Sequence, residues 1–239
     1  MTTTQKMMSL KKSSIQIKTR DNQDFKASEE ALPKDAGYWL YCIVGSKGRG
    51  KSTILLGLLN DYLKKYYDNI YFCSTTAKRD PKFKELIEEL EDENKFWPTF
   101  SNEICQDIMD NLVEDIEHKE MRNLVILDDC ASLIPSSTEK DCPFNTFIMG
   151  SRHYKTDIIL TTQCFSKLNT IVRKNLDVIS LFSTVNRKEL QWYSDELNVD
   201  KEDFLDHLSL LDGEKHSFLT VSFVDGSPKY FKNFDKILS

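Results

Sequence analysis

The octapeptide GSKGRGKS, residues 45–52, stands directly between the apolar run YWLYCIV and the amphipathic run TILLGLLNDYL. A strand that ends in a glycine-rich loop and passes at once into a helix leaves the chain few folds to choose from. Gly45, Gly50, Lys51 and Ser52 match G-x-x-x-x-G-K-[ST] in full, and the flanking runs supply the strand and helix that the pattern requires. Glycine lets the backbone close around phosphates, so that successive amide N–H groups and the helix N-terminus face negative charge. The candidate phosphate-binding loop therefore comprises Gly45, Ser46, Lys47, Gly48, Arg49, Gly50, Lys51, Ser52 and Thr53. In it, Lys51 is placed to reach the β- and γ-phosphates of ATP and Ser52 to ligate Mg²⁺. The pattern assigns no role to the two basic insertions, Lys47 and Arg49.

From Tyr38 onward, short apolar runs alternate with longer helical stretches, which is the mark of βαβ units and a mostly parallel sheet. The strand candidates are YWLYCIV (38–44), NIYFC (69–73), LVIL (124–127), DIILTT (157–162) and VISLF (178–182). Their nearly continuous hydrophobicity predicts helices on both faces. Ile54, Leu55, Leu58, Leu59, Tyr62, Leu63 and Tyr66 make one helix face apolar, as do Ile104, Ile108, Leu112 and Ile116 on a later helix. The acidic run ELIEELEDE reads as an exposed helix face, and SFLTVSFVDGSPKYF as a C-terminal β-hairpin added at a sheet edge. The fold class expected is α/β, in two parts: a basic and polar arm with its linker over residues 1–35, and one nucleotide-binding domain over 36–239.

Composition narrows the setting. With 40% hydrophobic and 29% charged residues the chain has the balance of a soluble globular protein. No segment approaches the roughly 18–20 consecutive apolar residues of a membrane span, and MTTTQKMMSLKKSS lacks the apolar core of a secretion signal. Six scattered cysteines form no C-x-x-C pair, and several fall in expected buried strands, so an intracellular, reducing setting is expected. The net charge of −6 argues against nucleic acid coating the whole surface but permits a local basic channel.

Further along, NLVILDD is a strand whose exit presents two carboxylates. Asp128 is the candidate holder of Mg²⁺ through its water shell, and Asp129 the candidate base for an attacking water. Many hydrolysing proteins with such a loop carry Glu at the second position, and Asp is shorter by a methylene. DIILTTQ ends in Gln163, whose amide can report on the γ-phosphate or the nucleophilic water. Upstream, in GSRHYKTDIILTTQ, stands Arg152, a candidate for charge neutralisation at a neighbouring subunit's nucleotide.

GSKGRGKS, NLVILDD, GSRH and IILTTQ, in that order, resemble the motif set of the FtsK-HerA superfamily of DNA-pumping ATPases. Within it, the tandem Asp-Asp and the Arg-His pair resemble the poxvirus A32-like genome-packaging ATPases of large DNA viruses and virophages. The resemblance covers roughly residues 38–185. It implies a RecA-like P-loop NTPase core in which the Gln-bearing strand lies between the phosphate-loop strand and the Asp-Asp strand. It also implies a homo-oligomeric ring, pentamer or hexamer, around double-stranded DNA, with capsid proteins as candidate further partners; the lack of a long apolar run leaves no membrane partner expected. By motif position, Lys51 and Ser52 bind ATP and Mg²⁺, Asp128 and Asp129 serve metal and water, Gln163 is the sensor and Arg152 acts in trans. The setting implied is a virus-encoded protein in the host cytoplasm or the virion.

Arg173 and Arg187 are the other candidates for the trans role, and Lys140, in the loop IPSSTEKDCPF, is a candidate DNA contact. Two rival readings share the phosphate loop: a nucleoside or nucleotide kinase, and a nucleotide-binding switch or scaffold that hydrolyses weakly. A kinase needs neither the tandem carboxylates nor the Gln-terminated strand to orient its acceptor.

Overall fold

The computed structural model describes residues 9–11, 17–18, 24–25, 30–32, 38–118, 121–136, 138–139, 141–183 and 193–238. The strands in chain order are β1 (Ser9–Lys11), β2 (Ile17–Lys18), β3 (Asp24–Phe25), β4 (Leu40–Val44), β5 (Asn69–Ser74), β6 (Phe96–Trp97), β7 (Asn123–Asp128), β8 (Thr156–Thr162), β9 (Val178–Phe182), β10 (Phe218–Ser222), β11 (Lys229–Lys232) and β12 (Asp235–Leu238). The helices are α1 (Lys51–Leu58), α2 (Lys84–Asp92), α3 (Asn102–His118), α4 (Pro143–Gly150), α5 (Thr170–Lys174) and α6 (Lys201–Ser209). Helix α1 continues into a π-helical turn, Leu59–Leu63.

One sheet of ten strands runs in the order β1-β12-β11-β10-β9-β4-β8-β7-β5-β6. The six strands from β9 to β6 are mutually parallel, and β10, β11, β12 and β1 continue the sheet antiparallel. This is the α/β, mostly parallel architecture that the alternating runs predict. The five core strands fall where the apolar runs place them, each extended or trimmed by a residue or two at most. The Gln163-bearing β8 does lie between β4 and β7.

The C-terminal hairpin forms, but it does not end the sheet. β11 pairs with β12, and β12 with β1, so a segment of the N-terminal stretch closes that edge. The physical reason is local: Asn233 and Phe234 adopt left-handed backbone, which turns the chain back for one further antiparallel pass. Ala31 and Leu32 are buried, and the Tyr62 hydroxyl donates to the Leu32 carbonyl at 2.9 Å.

Side chains alternate across the strands and build one core on each face. Leu40, Cys42 and Val44 point to the layer formed by α3, α4, α5 and α6, where Cys105, Ile108, Leu112, Phe144, Phe147, Val172 and Phe204 are buried. Tyr41 and Ile43 point to the layer of α1 and α2, with Ile54, Leu55, Leu58, Leu59, Leu63, Ile87 and Leu90. On α2 only Ile87 and Leu90 are buried, so the acidic run is an exposed face, as its sequence predicts. Five of the six cysteines are buried and all are free thiols.

Below the sheet, at the N-terminal ends of the parallel strands, two carboxylates anchor β4. Asp157 accepts from the Trp39 amide at 2.8 Å and from the Tyr67 hydroxyl at 2.6 Å, while Asp177 accepts from the Leu40 amide at 2.8 Å. Burial pushes the Asp157 carboxyl up to about 7, against the lowering effect of its two donors. An acid whose folded-state pKa exceeds its unfolded value favours the fold in its protonated form. Its contribution is complete below about pH 4 and is lost as pH rises through about 7. Asp157→Asn keeps an acceptor for Trp39 and cannot ionise. In chemical denaturation series, the wild-type chain should therefore lose roughly 2–4 kcal/mol relative to the variant between pH 4 and pH 8. Parallel pH profiles would rule this out.

Candidate nucleotide site

Strand order reverses beside β4: the chain leaves it for β5, returns through β7 to β8, and then crosses to β9 on the other side. In open α/β sheets ligands bind beyond the carboxyl ends of strands at such a point. A cavity of about 580 Å³ opens there, with Lys47, Gly48, Gly50, Lys51, Ser52 and Thr53 along its floor. Its size falls within the ordinary range for small-molecule sites.

The loop's conformation follows from its glycines. Gly48 and Gly50 have φ of 78° and 118°, left-handed values that other residues adopt only with strain. Gly50 is also the N-cap of α1, and no side chain caps that helix, so the first amides of α1 face the loop and not a side-chain oxygen. Such an end favours an anion. Gly45 answers to a different constraint: a Cβ there would lie 2.5 Å from the Phe182 ring, which is packed beneath the loop at the end of β9.

Lys51 is almost fully buried, and its Nζ donates to the Gly45 carbonyl at 2.9 Å and lies 4.0 Å from Asp129 Oδ1. Asp129, the first residue after β7, has φ of 50°, which turns its side chain back over the loop. Its other carboxylate oxygen accepts from Gln163 Nε2 at 3.2 Å. Asp128 is 2% exposed and held on both oxygens, by Thr161 Oγ1 and Ser74 Oγ, each at 2.7 Å. Burial raises the Asp128 pKa; the two hydroxyls oppose that, the Asp129 charge adds to it, and Lys51 draws it down. The structure thus gathers Lys51, Ser52, Asp128, Asp129 and Gln163 into one place at the upper ends of β4, β7 and β8.

Arg152 lies elsewhere. It is exposed in the turn before β8, beside a cavity of about 380 Å³ at the lower strand ends, with Lys174 and Asp177. The seven residues of β8 put about 20 Å between the two ends, so Arg152 is beyond reach of its own chain's phosphate loop. Arg173 is 9% exposed: its guanidinium donates to the Leu168 carbonyl and pairs with Glu196 at 3.2 Å, which ties it to the interior. Arg187 and Lys140 lie outside the described residues.

Several residues of the site carry no motif. Ser74 and Thr161 fix Asp128, and Thr161 could have been found, since in β8 it faces Asp128 across the β7–β8 register. Lys82 donates to Thr53 Oγ1 at 3.3 Å, and with Thr76 and Asp80 forms the cavity wall beyond α1. Arg49, unexplained by the pattern, reaches the Lys215 carbonyl at 3.4 Å, and its own carbonyl meets His216 Nδ1 at 3.0 Å. No sequence signal links residues so far apart along the chain.

A sequence model of the Poxvirus A32 protein family matches residues 29–229. The chain belongs to the Poxvirus A32 protein family. This A32-family chain is also 22% identical, over 172 residues, to the uncharacterized protein 015R of Frog virus 3 (isolate Goorha). That match covers 72% of the chain and 52% of the Frog virus protein, so the chain spans about half the length of this relative. Among solved structures, the chain is similar to B204, the DNA-packaging ATPase of Sulfolobus turreted icosahedral virus, with a TM-score of 0.63 at 16% identity over 82% of this chain and 97% of that one. The genome-packaging NTPase B204 of Sulfolobus turreted icosahedral virus 2, solved with ATP-gammaS, gives 0.61 at 16% identity over 80% and 96%. The pCW3 conjugation coupling protein TcpA, solved as a monomer with ATPgS, gives 0.59 at 14% identity over 95% and 66%. The A32-family chain therefore has the P-loop NTPase fold of viral packaging and conjugation-coupling ATPases.

Gly45→Ala tests the loop's support. It should destabilise the chain by about 1–3 kcal/mol through overpacking against Phe182, and Phe182→Leu in the same chain should recover most of that loss. Thermal unfolding of the two single variants and the double variant checks the coupling; strict additivity would exclude the contact as the cause.

Proposed function

We propose that this chain is an ATP-hydrolysing DNA translocase, a virus-encoded motor that drives double-stranded DNA into a capsid as a ring of identical subunits. The observation that carries the reading is the convergence of Lys51, Asp129 and Gln163 around one cavity, with the buried Asp128 directly beneath. Membership of the A32 family and the fold shared with B204 support the same reading.

The loop amides and Lys51 bind the β- and γ-phosphates. The site fits Mg²⁺: Ser52 opens the loop helix, and the Asp128 carboxylate is held in place by two hydroxyls. The ion, held by Ser52 and, through its water shell, by Asp128, would neutralise charge on the phosphates. Asp129 accepts the proton of the attacking water as the new P–O bond forms and ADP leaves. Gln163, already bonded to Asp129, orients that water and registers whether the γ-phosphate is present. Arg152, exposed at the far end of the strands, is offered to the nucleotide of the next subunit. Its distance from its own chain's phosphate loop supports a role in trans, in which each hydrolysis event is coupled to a neighbour.

Asp129→Asn and Arg152→Ala chains should each lose roughly 100-fold or more in ATP turnover. Mixed together they should regain part of it, because some interfaces then pair an intact carboxylate with an intact arginine. A mixture no more active than its components would refute a shared site. Duplex DNA should stimulate ATP turnover by the wild-type ring, and Lys51→Ala should abolish the activity with or without DNA. A ring-forming preparation indifferent to duplex DNA would refute translocation.

A further inference from the structure

We infer that His216 recognises the nucleoside end of the bound nucleotide by accepting a hydrogen bond at Nε2. This rests on the nucleotide reading of the cavity proposed above.

The position follows from the sheet order. Asp128, Asp129 and Gln163 end β7 and the β8 segment, all on one side of β4. A nucleotide whose terminal phosphate meets Lys51 and Asp129 extends its nucleoside to the other side, where β9 ends in Phe182 and residues 215–217 lead into its antiparallel neighbour β10. Phe182 is buried under the loop and offers no polar group, whereas His216, on the same wall, is exposed and carries a hydrogen-bonding ring.

The segment that presents His216 is braced from several directions. Glu214 accepts from Lys232 of β11 at 2.7 Å and from the Ser217 hydroxyl. Asn233 donates to Ser217 Oγ at 3.2 Å and accepts from the Phe218 amide at 2.9 Å. The loop side adds the contacts of Arg49 to the Lys215 carbonyl and of His216 to the Arg49 carbonyl. At Gly50, even a Cβ would come within 3.8 Å of His216 Nδ1, so the imidazole stands against the phosphate loop itself.

The tautomer then decides the chemistry. The Arg49 carbonyl only accepts, so His216 Nδ1 carries the hydrogen. In neutral imidazole that leaves a lone pair on Nε2, an acceptor. It suits a nucleoside donor, meaning a ribose hydroxyl or the exocyclic amine of adenine, and not the carbonyl that guanine carries at the same ring position.

Equilibrium binding of ATP and of inorganic tripolyphosphate to the wild-type, His216→Ala and His216→Asn chains tests this. His216→Asn keeps a donor for the Arg49 carbonyl and has no atom at the Nε2 position, so it separates recognition from bracing. Both variants should bind ATP about three- to tenfold more weakly than wild type, the range of one net hydrogen bond, with tripolyphosphate affinity unchanged. The gap should vanish for 2′-deoxy-ATP if the donor is the 2′-hydroxyl and for GTP if it is the adenine amine; a gap that survives both assigns the 3′-hydroxyl. Equal weakening of ATP and tripolyphosphate would overturn the inference in favour of phosphate-loop support, as would wild-type ATP affinity in His216→Asn. Failure of wild-type chain to bind either ligand would instead refute the nucleotide reading itself.

Discussion

A carboxylate held under the end of an apolar sheet organises the upper surface of this molecule. Asp128 is buried, and an ionised carboxylate in that position is costly unless hydrogen bonds satisfy it. The hydroxyls of Ser74 and Thr161 do so from the two strands that flank β7. Three neighbouring strands are thereby fixed at one level. The next residue, Asp129, turns into left-handed backbone and meets Lys51 from the loop and Gln163 from the β8 end. Removing a hydroxyl from this set would unsettle groups on three strands.

The two ends of the parallel strands carry different groups. The glycine-rich loop, Lys51 and Asp129 collect at the upper end, while Arg152 stands with Asp177 and Lys174 at the lower one. Burial raises the Asp177 carboxyl, with the Leu40 amide and the nearby Arg152 charge opposing it. The strands set a fixed distance of about 20 Å between these ends. Among the described residues, no helix is long and apolar enough to cross a membrane.

Much of the fold was legible in the chain because parallel strands covered on both faces must be apolar throughout, and helices packed on one side must repeat every three to four residues. Those two constraints located β4, β5, β7, β8 and β9, and the burial of Ile54, Leu55, Leu58, Ile108 and Leu112. The strands that extend the sheet past the hairpin were not legible. β12 and β1 are short, and their pairing is set by a turn at Asn233 and Phe234. Helix α1 likewise gives way to a π turn at Leu59, two residues after Gly57, although the apolar pattern runs on unbroken through both.

By itself the sequence determined the local chemistry: a glycine-rich loop free to adopt left-handed backbone, a lysine and a serine at the start of a helix, and carboxylates and an amide at strand ends. These are legible because backbone geometry and side-chain type act over a few residues. Only the tertiary structure decided which of those groups meet, that Arg173 is tied inside while Arg152 faces outward, and that Phe182, Lys82 and His216 complete the cavity. The reason is the order of the strands. A sheet whose sequence order differs from its spatial order brings together residues more than a hundred positions apart, and no local pattern records that placement.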